Sequence, residues 1–528
     1  EKASHQGQPL VVGSTMYLVT PFPNKLIALD LTHPGQVRWT FDPGASRYAR
    51  GVACCDVVNR GAVYADGKII YNVLDGTTVA VDATAGTLVW RAKLGNLTKG
   101  ETLTGAPLVV NNKVIVGNAG GELGIRGWVQ ALDLKTGKLL WKAYGTGPDA
   151  DVLIGSGFQA YYAKDRGTDL GSTTWPGSMW QQGGATSWAW LSYDPALNLL
   201  YYGTANPGVW NPDVRPGDNK WASSVVARNP DTGEAVWAYQ HTPHDGWDYD
   251  SVNEHIVVDQ VINGTLRKTL VHFNKNGFAY TIDRATGQVL TANKLGNVTW
   301  ADHVDLQTGA PVVNPGMSPH QGVITSNICP SPLGVKDWEP AAYSPKTGLF
   351  YVPAINFCED LEPLAINFIA GTPVMSVNAV FKPGPGAGNL GELTAWDATR
   401  GAKAWSVAEP LPLYGGVLAT AGNVVFYGTL DKQFKAVDAA TGKLLFAKSL
   451  ECGVVGNPMT YTGPDGHQRV AVYTGVGWLA GGFAGAPCPS LPNGEGLRGQ
   501  ERVAGLKIQK PAAAALVTSG MVHVFRLP

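Results

Sequence analysis

One motif recurs along this chain and limits what it can fold into. A short apolar strand ends in Asp, a turn carries Thr-Gly, and a second strand presents Trp or Phe. It runs from Ile27-Ala28-Leu29-Asp30 to Trp39, from Val79-Ala80-Val81-Asp82 to Trp90, and from Gln130-Ala131-Leu132-Asp133 through Thr136-Gly137 to Trp141. Later copies carry Asp231-Thr232-Gly233 with Trp237, Asp283 with Thr286-Gly287, Asp397 with Trp405, and Asp438 with Thr441-Gly442 and Phe446. Asp30, Asp82 and Asp133 lie 52 and 51 residues apart, a period that suits one four-stranded propeller blade. Asp and Thr hydrogen-bond the turn backbone, Gly supplies a positive φ, and the indole packs between neighbouring blades.

The spacing roughly doubles between Asp133 and Asp231 and between Asp283 and Asp397, where the chain is rich in Gly, Pro and Trp. These stretches are expected to be long loops on one face of the ring. An eighth blade without the motif is expected from the chain ends, with Met521-Val522-His523-Val524-Phe525 pairing with early strands such as Leu10-Val11-Val12. The expected fold is therefore all-β, a single eight-bladed β-propeller over residues 1–528.

Composition agrees. Gly and Pro make up about a fifth of the 528 residues, 17 are Trp, and only 15 % are charged, against about 25 % in an ordinary soluble domain. A net charge of −1 with no run of Lys or Arg gives no field for nucleic acid or an anionic membrane. No apolar stretch reaches the roughly 20 residues of a membrane helix. The start at Glu1, without Met or a signal-peptide pattern, reads as a processed or trimmed product.

Local motifs exclude several chemistries. Six cysteines (Cys54, Cys55, Cys329, Cys358, Cys452 and Cys488) form no C-x-x-C pair and no C-x-x-C-H haem attachment site, and no H-E-x-x-H occurs. Their own pattern is compatible with disulfides or with buried thiols. Gly386-Ala387-Gly388-Asn389-Leu390-Gly391 fits G-x-G-x-x-G but lacks a βαβ unit and reads as a loop. Asn96, Asn263 and Asn297 open glycosylation sequons that carry no meaning in a bacterial protein.

Four segments stand apart from the repeat. They are Gly51-Val52-Ala53-Cys54-Cys55-Asp56 with Arg60, and Gly121-Glu122-Leu123-Gly124. The third runs from Gly183-Gly184-Ala185-Thr186-Ser187-Trp188 to Gly203-Thr204-Ala205-Asn206-Pro207, and the fourth is His244-Asp245-Gly246-Trp247-Asp248-Tyr249-Asp250. In this order on a tryptophan-motif propeller they resemble the pyrroloquinoline-quinone (PQQ) dependent alcohol dehydrogenases of the methanol and ethanol dehydrogenase type, over essentially the whole chain.

The resemblance implies that Cys54 and Cys55 are disulfide-bonded over one face of the quinone and that Trp188 stacks on the other. It assigns further PQQ contacts to Arg60, Thr104, Thr186, Lys275, Asp397 and Trp478. Glu122, Asn206 and Asp248 match the metal ligands, and Asp248 also the catalytic base. Oxygen donors suit a hard cation. Asp250 shares a side with Asp248 in extended backbone. It resembles the lanthanide-dependent branch, because a trivalent ion balances three carboxylates better than Ca²⁺. Cys329 and Cys358 match a second family disulfide, and Cys452 with Cys488 is a further expected bridge.

The implied reaction is oxidation of a primary alcohol to an aldehyde in the periplasm, with electrons passed to a separate cytochrome c, and family members are often homodimers. Gln6, Lys275 and Ala119 depart from the methanol-enzyme pattern, which favours a longer alcohol or a polyol. The alternatives are a Ca²⁺-dependent enzyme of the same type and a non-enzymatic propeller scaffold of outer-membrane assembly. The scaffold needs the repeat Asp, Gly and Trp but none of Cys54-Cys55, Glu122, Asn206 or Asp248-Asp250.

Overall fold

Each copy of the repeat joins the third and fourth strands of an antiparallel meander. The computed structural model describes residues 4–365, 367–386, 388–484 and 520–526. Among these, four-stranded sheets span 10–41, 62–93, 108–144, 191–240, 255–294, 342–409 and 417–449. A three-stranded sheet joins Met459–Thr462, Gln468–Thr474 and Met521–Arg526. The third strands end on the repeat carboxylate in Leu26–Asp30, Thr77–Asp82, Trp128–Asp133, Phe278–Asp283, Gly391–Asp397 and Gln433–Asp438.

The turn chemistry is as expected. Asp133 Oδ1 accepts the Lys135 and Thr136 amides at 3.1 and 2.8 Å and the Thr136 hydroxyl at 2.7 Å. In the sheet at 191–240 Asn229 takes this part, accepting the Asp231 amide at 2.8 Å. Asp231 instead binds Lys113 at 2.7 Å.

The indole and the glycine of the motif meet across neighbouring sheets. Trp90 Nε1 donates to Leu134 O at 3.0 Å, Trp141 Nε1 to Pro230 O at 2.9 Å, and Trp237 Nε1 to Arg284 O at 3.2 Å. A Cβ on Gly137 would lie 2.6 Å from Trp90, and one on Gly287 2.7 Å from Trp237. Glycine is required there twice, for its positive φ and for the ring lying on its Cα.

Apolar faces then pack in chain order. Tyr17 and Leu26 meet Ile69 and Val79, Ile70 meets Val114 and Trp128, and Tyr201 and Trp237 meet Leu270 and Tyr280. Phe426 and Phe434 meet Val470 and Val472. The last sheet closes on the first through Met16, Tyr461 and Ala471, with Val11, Leu29 and Val522 against them.

This corrects one expectation. Met521–Arg526 pairs with Gln468–Thr474, Met521 opposite Thr474, and not with Leu10–Val12. Leu10–Val12 hydrogen-bonds to Thr15–Val19 within its own sheet. Neighbouring sheets stack by their faces, so first and last meet through side chains. Two backbone bonds tie the N-terminal segment to the last sheet, His5 N to Gly475 O at 3.2 Å and Asn457 N to Gly7 O at 3.0 Å.

Second and fourth strands of a meander run the same way, so the loops that follow them share one end of the sheet. The long connections at 145–190, 295–341 and 356–390 all follow second or fourth strands. The second carries a two-stranded sheet at 301–313, and Thr325–Ile328 of the second joins Phe357–Pro363 and Val377–Pro383 of the third in a three-stranded sheet.

Candidate active site

A cavity of about 640 Å³ opens at that end. Cys54, Cys55, Arg60, Thr104, Glu122, Trp188, Asp248, Asp250 and Lys275 all line it, although they span more than 200 residues of sequence. Each sits in a loop after a second or fourth strand, which is why chain-distant residues converge.

The segment 247–250 is built by alternation. Trp247 and Tyr249 stack at 5.8 Å and 13° and pack on Trp300. The Tyr249 hydroxyl donates to Pro330 O at 2.7 Å. Asp248 and Asp250 both face the cavity. Asp248 holds a left-handed φ of 67°, and Lys275 Nζ reaches both carboxylates, at 2.7 Å to Asp248 and 3.0 Å to Asp250.

Burial pushes the Asp248 carboxyl well above the usual carboxylate range, with Lys275 opposing and Asp250 adding to the rise. Burial alone would lower the Lys275 ammonium, but Asp248, Asp250 and Asp337 outweigh it and hold it charged. Glu122 is raised by burial and by Asp250. Four carboxylates, of Glu122, Asp248, Asp250 and Asp337, thus face one ammonium.

The Cys54–Cys55 disulfide forms one wall. A Glu122 carboxylate oxygen and both sulfurs lie within 4.8 Å of one another. Trp188 lies on the same cavity, and its carbonyl accepts the Thr104 hydroxyl at 3.1 Å and Arg60 at 3.4 Å. The Arg60 guanidinium stands over the Trp188 ring at 4.7 Å and the Trp338 ring at 5.0 Å, a cation–π arrangement that fixes both indoles. Burial pushes Arg60 down to about 10.

Other expected residues lie elsewhere. Thr186 is buried behind the cavity, 3.7 Å from where a Gly121 Cβ would be. Asn206 is also one layer back, its backbone amide donating to Asp250 Oδ1 at 2.8 Å. Asp397 is corrected. It ends a third strand, at the opposite end of the sheet from the cavity, and its Oδ1 serves its own turn, accepting the Thr399 amide at 3.0 Å, the Thr399 hydroxyl at 2.7 Å and the Arg400 amide at 3.1 Å. It does not line the cavity. Trp478 opens the helix Trp478–Ala484, but its side chain lies outside the described residues, as does Cys488. Cys329 and Cys358 are bridged.

Asp337, Trp338, Trp210 and the strand Val377–Pro383 line the cavity without having been anticipated. The charged cluster Lys336-Asp337-Trp338-Glu339, after a stretch at 306–335 without Asp, Glu, Lys or Arg, was the available signal. The strand carried none. Burial pushes Asp337 up to about 6 and Glu339 up to about 8.

Among the described residues, Gln6 Oε1, Arg60 Nε and Asp337 Oδ1 are buried without a hydrogen-bond partner, and all three residues line the cavity. A polar-rimmed planar ligand between a disulfide and an indole, with a cation on an all-oxygen donor set, fits these groups.

The chain matches the family described as "PQQ: Glucose/ethanol/alcohol dehydrogenase, beta-propeller domain" over residues 1–303 and 385–470. It is 47 % identical over 527 residues to a lanthanide-dependent methanol dehydrogenase of Methylacidiphilum fumariolicum (strain SolV), covering 99 % of this chain and 86 % of that one. It is 44 % identical to methanol dehydrogenase (cytochrome c) subunit 1 of Methylobacterium organophilum over 490 residues, 90 % of this chain and 78 % of that one. A solved europium-containing methanol dehydrogenase superposes with a TM-score of 0.93 at 44 % identity, covering 100 % of this chain and 92 % of that one.

Proposed function

The chain belongs to the PQQ-dependent alcohol dehydrogenase β-propellers, and on that premise we propose that it oxidises primary alcohols to aldehydes with PQQ and a lanthanide ion, delivering electrons to a cytochrome c. The observation that carries this reading is the convergence of Glu122, Asp248 and Asp250 in a cavity walled by the Cys54–Cys55 disulfide and Trp188.

When bound, the quinone supplies a two-electron acceptor and the cation a Lewis acid that polarises it. Cys54–Cys55 and Trp188 would hold the planar cofactor between a stiff lid and an aromatic floor. Arg60, Thr104 and Lys275 would meet its polar rim, with Thr186 behind. Glu122, Asn206, Asp248 and Asp250 offer the oxygen donors for the cation. Asp248 takes the proton from the substrate hydroxyl as hydride leaves the adjoining carbon. Lys275 favours the ionised form of that carboxyl against the rise caused by burial and keeps it aimed, because separating the pair would strand a buried charge. The disulfide, the two indoles and the strand Val377–Pro383 keep bulk water from the reacting groups.

The relatives named above are methanol enzymes. A substrate range reaching longer alcohols is supported here by the apolar side chains of Val58, Trp210, Leu333, Val377 and Phe381 along the cavity wall.

We further infer a single eight-bladed ring over residues 1–528, supported by the unbroken series of packed sheet faces and the contact of the last sheet with the first. A homodimer is supported by the outermost strand Leu444–Ser449, exposed along its length with Leu444, Leu445 and Phe446. A periplasmic location is supported by the disulfides Cys54–Cys55 and Cys329–Cys358. No helix among the described residues is long and apolar enough to cross a membrane.

The test is dye-coupled oxidation by metal-stripped protein given PQQ and either La³⁺ or Ca²⁺, across methanol, ethanol and polyols. Activity with La³⁺ is expected. Activity with Ca²⁺ alone would overturn the lanthanide assignment, and no activity with either would overturn the enzyme.

A further inference from the structure

We propose that Asp245, which does not line the cavity, is the positioning residue that sets the geometry of Asp248 and Asp250. It is buried to 1 % exposure, and its carboxylate is fully engaged. Oδ1 accepts the Trp247 amide at 2.9 Å, and Oδ2 accepts the Tyr249 amide at 2.8 Å and the Ser223 hydroxyl at 2.8 Å. The two amides flank Asp248 on either side. The left-handed φ of 67° at Asp248 is unfavourable for a residue with a Cβ, and these bonds offset its cost.

The anchor is itself anchored. The Arg215 guanidinium donates to the Asp245 carbonyl and, from its other nitrogens, to Asn219 Oδ1 at 2.7 Å and Val209 O at 2.5 Å. Arg215 is buried too, so its charge compensates the Asp245 carboxylate in a low-dielectric site. The segment therefore carries three acids with two tasks. Asp248 and Asp250 face the cavity, whereas Asp245 faces its own backbone and fixes the separation of the other two.

The chemistry of the anchor requires a carboxylate. Three donors converge on two acceptor oxygens. An asparagine would turn an NH₂ donor toward one of them, losing that bond and repelling the donor.

This inference rests on the alcohol dehydrogenase reading, and the experiment separates the two. Full-length D245N and S223A are compared with the parent in Tb³⁺ affinity, read by tryptophan-sensitised luminescence, and in kcat and KM after loading with PQQ and La³⁺. Folded D245N is expected to bind Tb³⁺ at least about tenfold more weakly and to lose kcat by a similar factor, with the alcohol KM within about twofold. S223A, which removes one bond of three, is expected to bind Tb³⁺ about threefold more weakly. Folded D245N with parental Tb³⁺ affinity overturns the proposal. If D245N fails to fold, parental affinity in S223A overturns it instead. A parent without alcohol oxidation overturns the enzymatic reading, while the Tb³⁺ titration still decides the role of Asp245.

Discussion

Lys275 Nζ lies 2.7 Å from Asp248 Oδ2, and the same ammonium reaches Asp250 at 3.0 Å. One buried cation thus ties together the proposed general base and the carboxylate beside it. The pair is charge-assisted and almost dry, so removing either partner leaves the other uncompensated.

Lys275→Met removes that cation. Burial already raises the Asp248 carboxyl, and losing the ammonium raises it further. A base with a higher pKa is ionised only at higher pH, so the acidic limb of the kcat/KM profile is expected to move to higher pH. The fall in kcat is expected to be about 10²-fold or more. Lys275→Arg keeps the charge and should recover part of both. An unmoved acidic limb in K275M would exclude the ammonium as the tuning group.

Asp250→Ala deletes one of three carboxylates and leaves Glu122 and Asp248. Titration of the stripped protein with La³⁺ and Ca²⁺ is expected to show La³⁺ affinity falling about 100-fold or more, with Ca²⁺ affinity changing far less. Equal losses for both ions would mean that Asp250 does not select for charge.

A cluster of buried imidazoles gives the fold an acid limit. His255 and His272 stack at 4.3 Å and 6°, with His241 4.9 Å from His272. Burial lowers His272 to about 3 and holds His241 and His255 well below 6.5. These rings are neutral when folded but protonate near pH 6.5 when unfolded. Their contribution is complete above 6.5 and is lost progressively as pH falls toward 3. At pH 5 each lowered imidazole costs roughly 2 kcal/mol. Buried acids such as Glu359, raised well above the usual range, act in the opposite sense. The comparison is therefore between His255→Phe and the parent in urea, at pH 7.5 and pH 5. The variant is expected to lose less stability between the two, and parallel losses would refute the assignment.

Two glycines separate backbone conformation from packing. Gly264 and Gly287 have φ values of 77° and 78°, but a Cβ on Gly264 meets nothing within 4 Å, whereas one on Gly287 would strike Trp237. Gly264→Ala should cost about 1 kcal/mol, and Gly287→Ala about 2–4 kcal/mol because the indole must also move. Equal shifts in Tm would show that the Trp–Gly contact between sheets contributes nothing.

The turns were legible because their chemistry is local. An Asp that caps the next two or three amides and a Gly with positive φ act across a few residues, the 51- and 52-residue spacing repeats them, and the indole recurs at a fixed offset although its partner lies in the next sheet. Even the substitution of Asn229 for Asp leaves the turn intact. The same locality explains the error at Asp397. It occupies a repeat position in the turn after a third strand, at the end of the sheet opposite the cavity, where its Oδ1 caps Thr399 and Arg400. Met521–Arg526 was legible as a strand, but alternation does not encode which neighbour it pairs with.

The sequence by itself determined the strands and the turns, since these follow from side-chain periodicity and short-range hydrogen bonds, and it set Asp248 and Asp250 two residues apart, although the left-handed φ of Asp248 departs from the extended backbone expected there. Only the tertiary structure decided that Lys275 joins the two carboxylates, that Arg60 stands between Trp188 and Trp338, and that Asp337 and the strand Val377–Pro383 complete the cavity. Those contacts depend on how successive sheets stack about a common end, and on desolvation by residues hundreds of positions away, which no local pattern encodes.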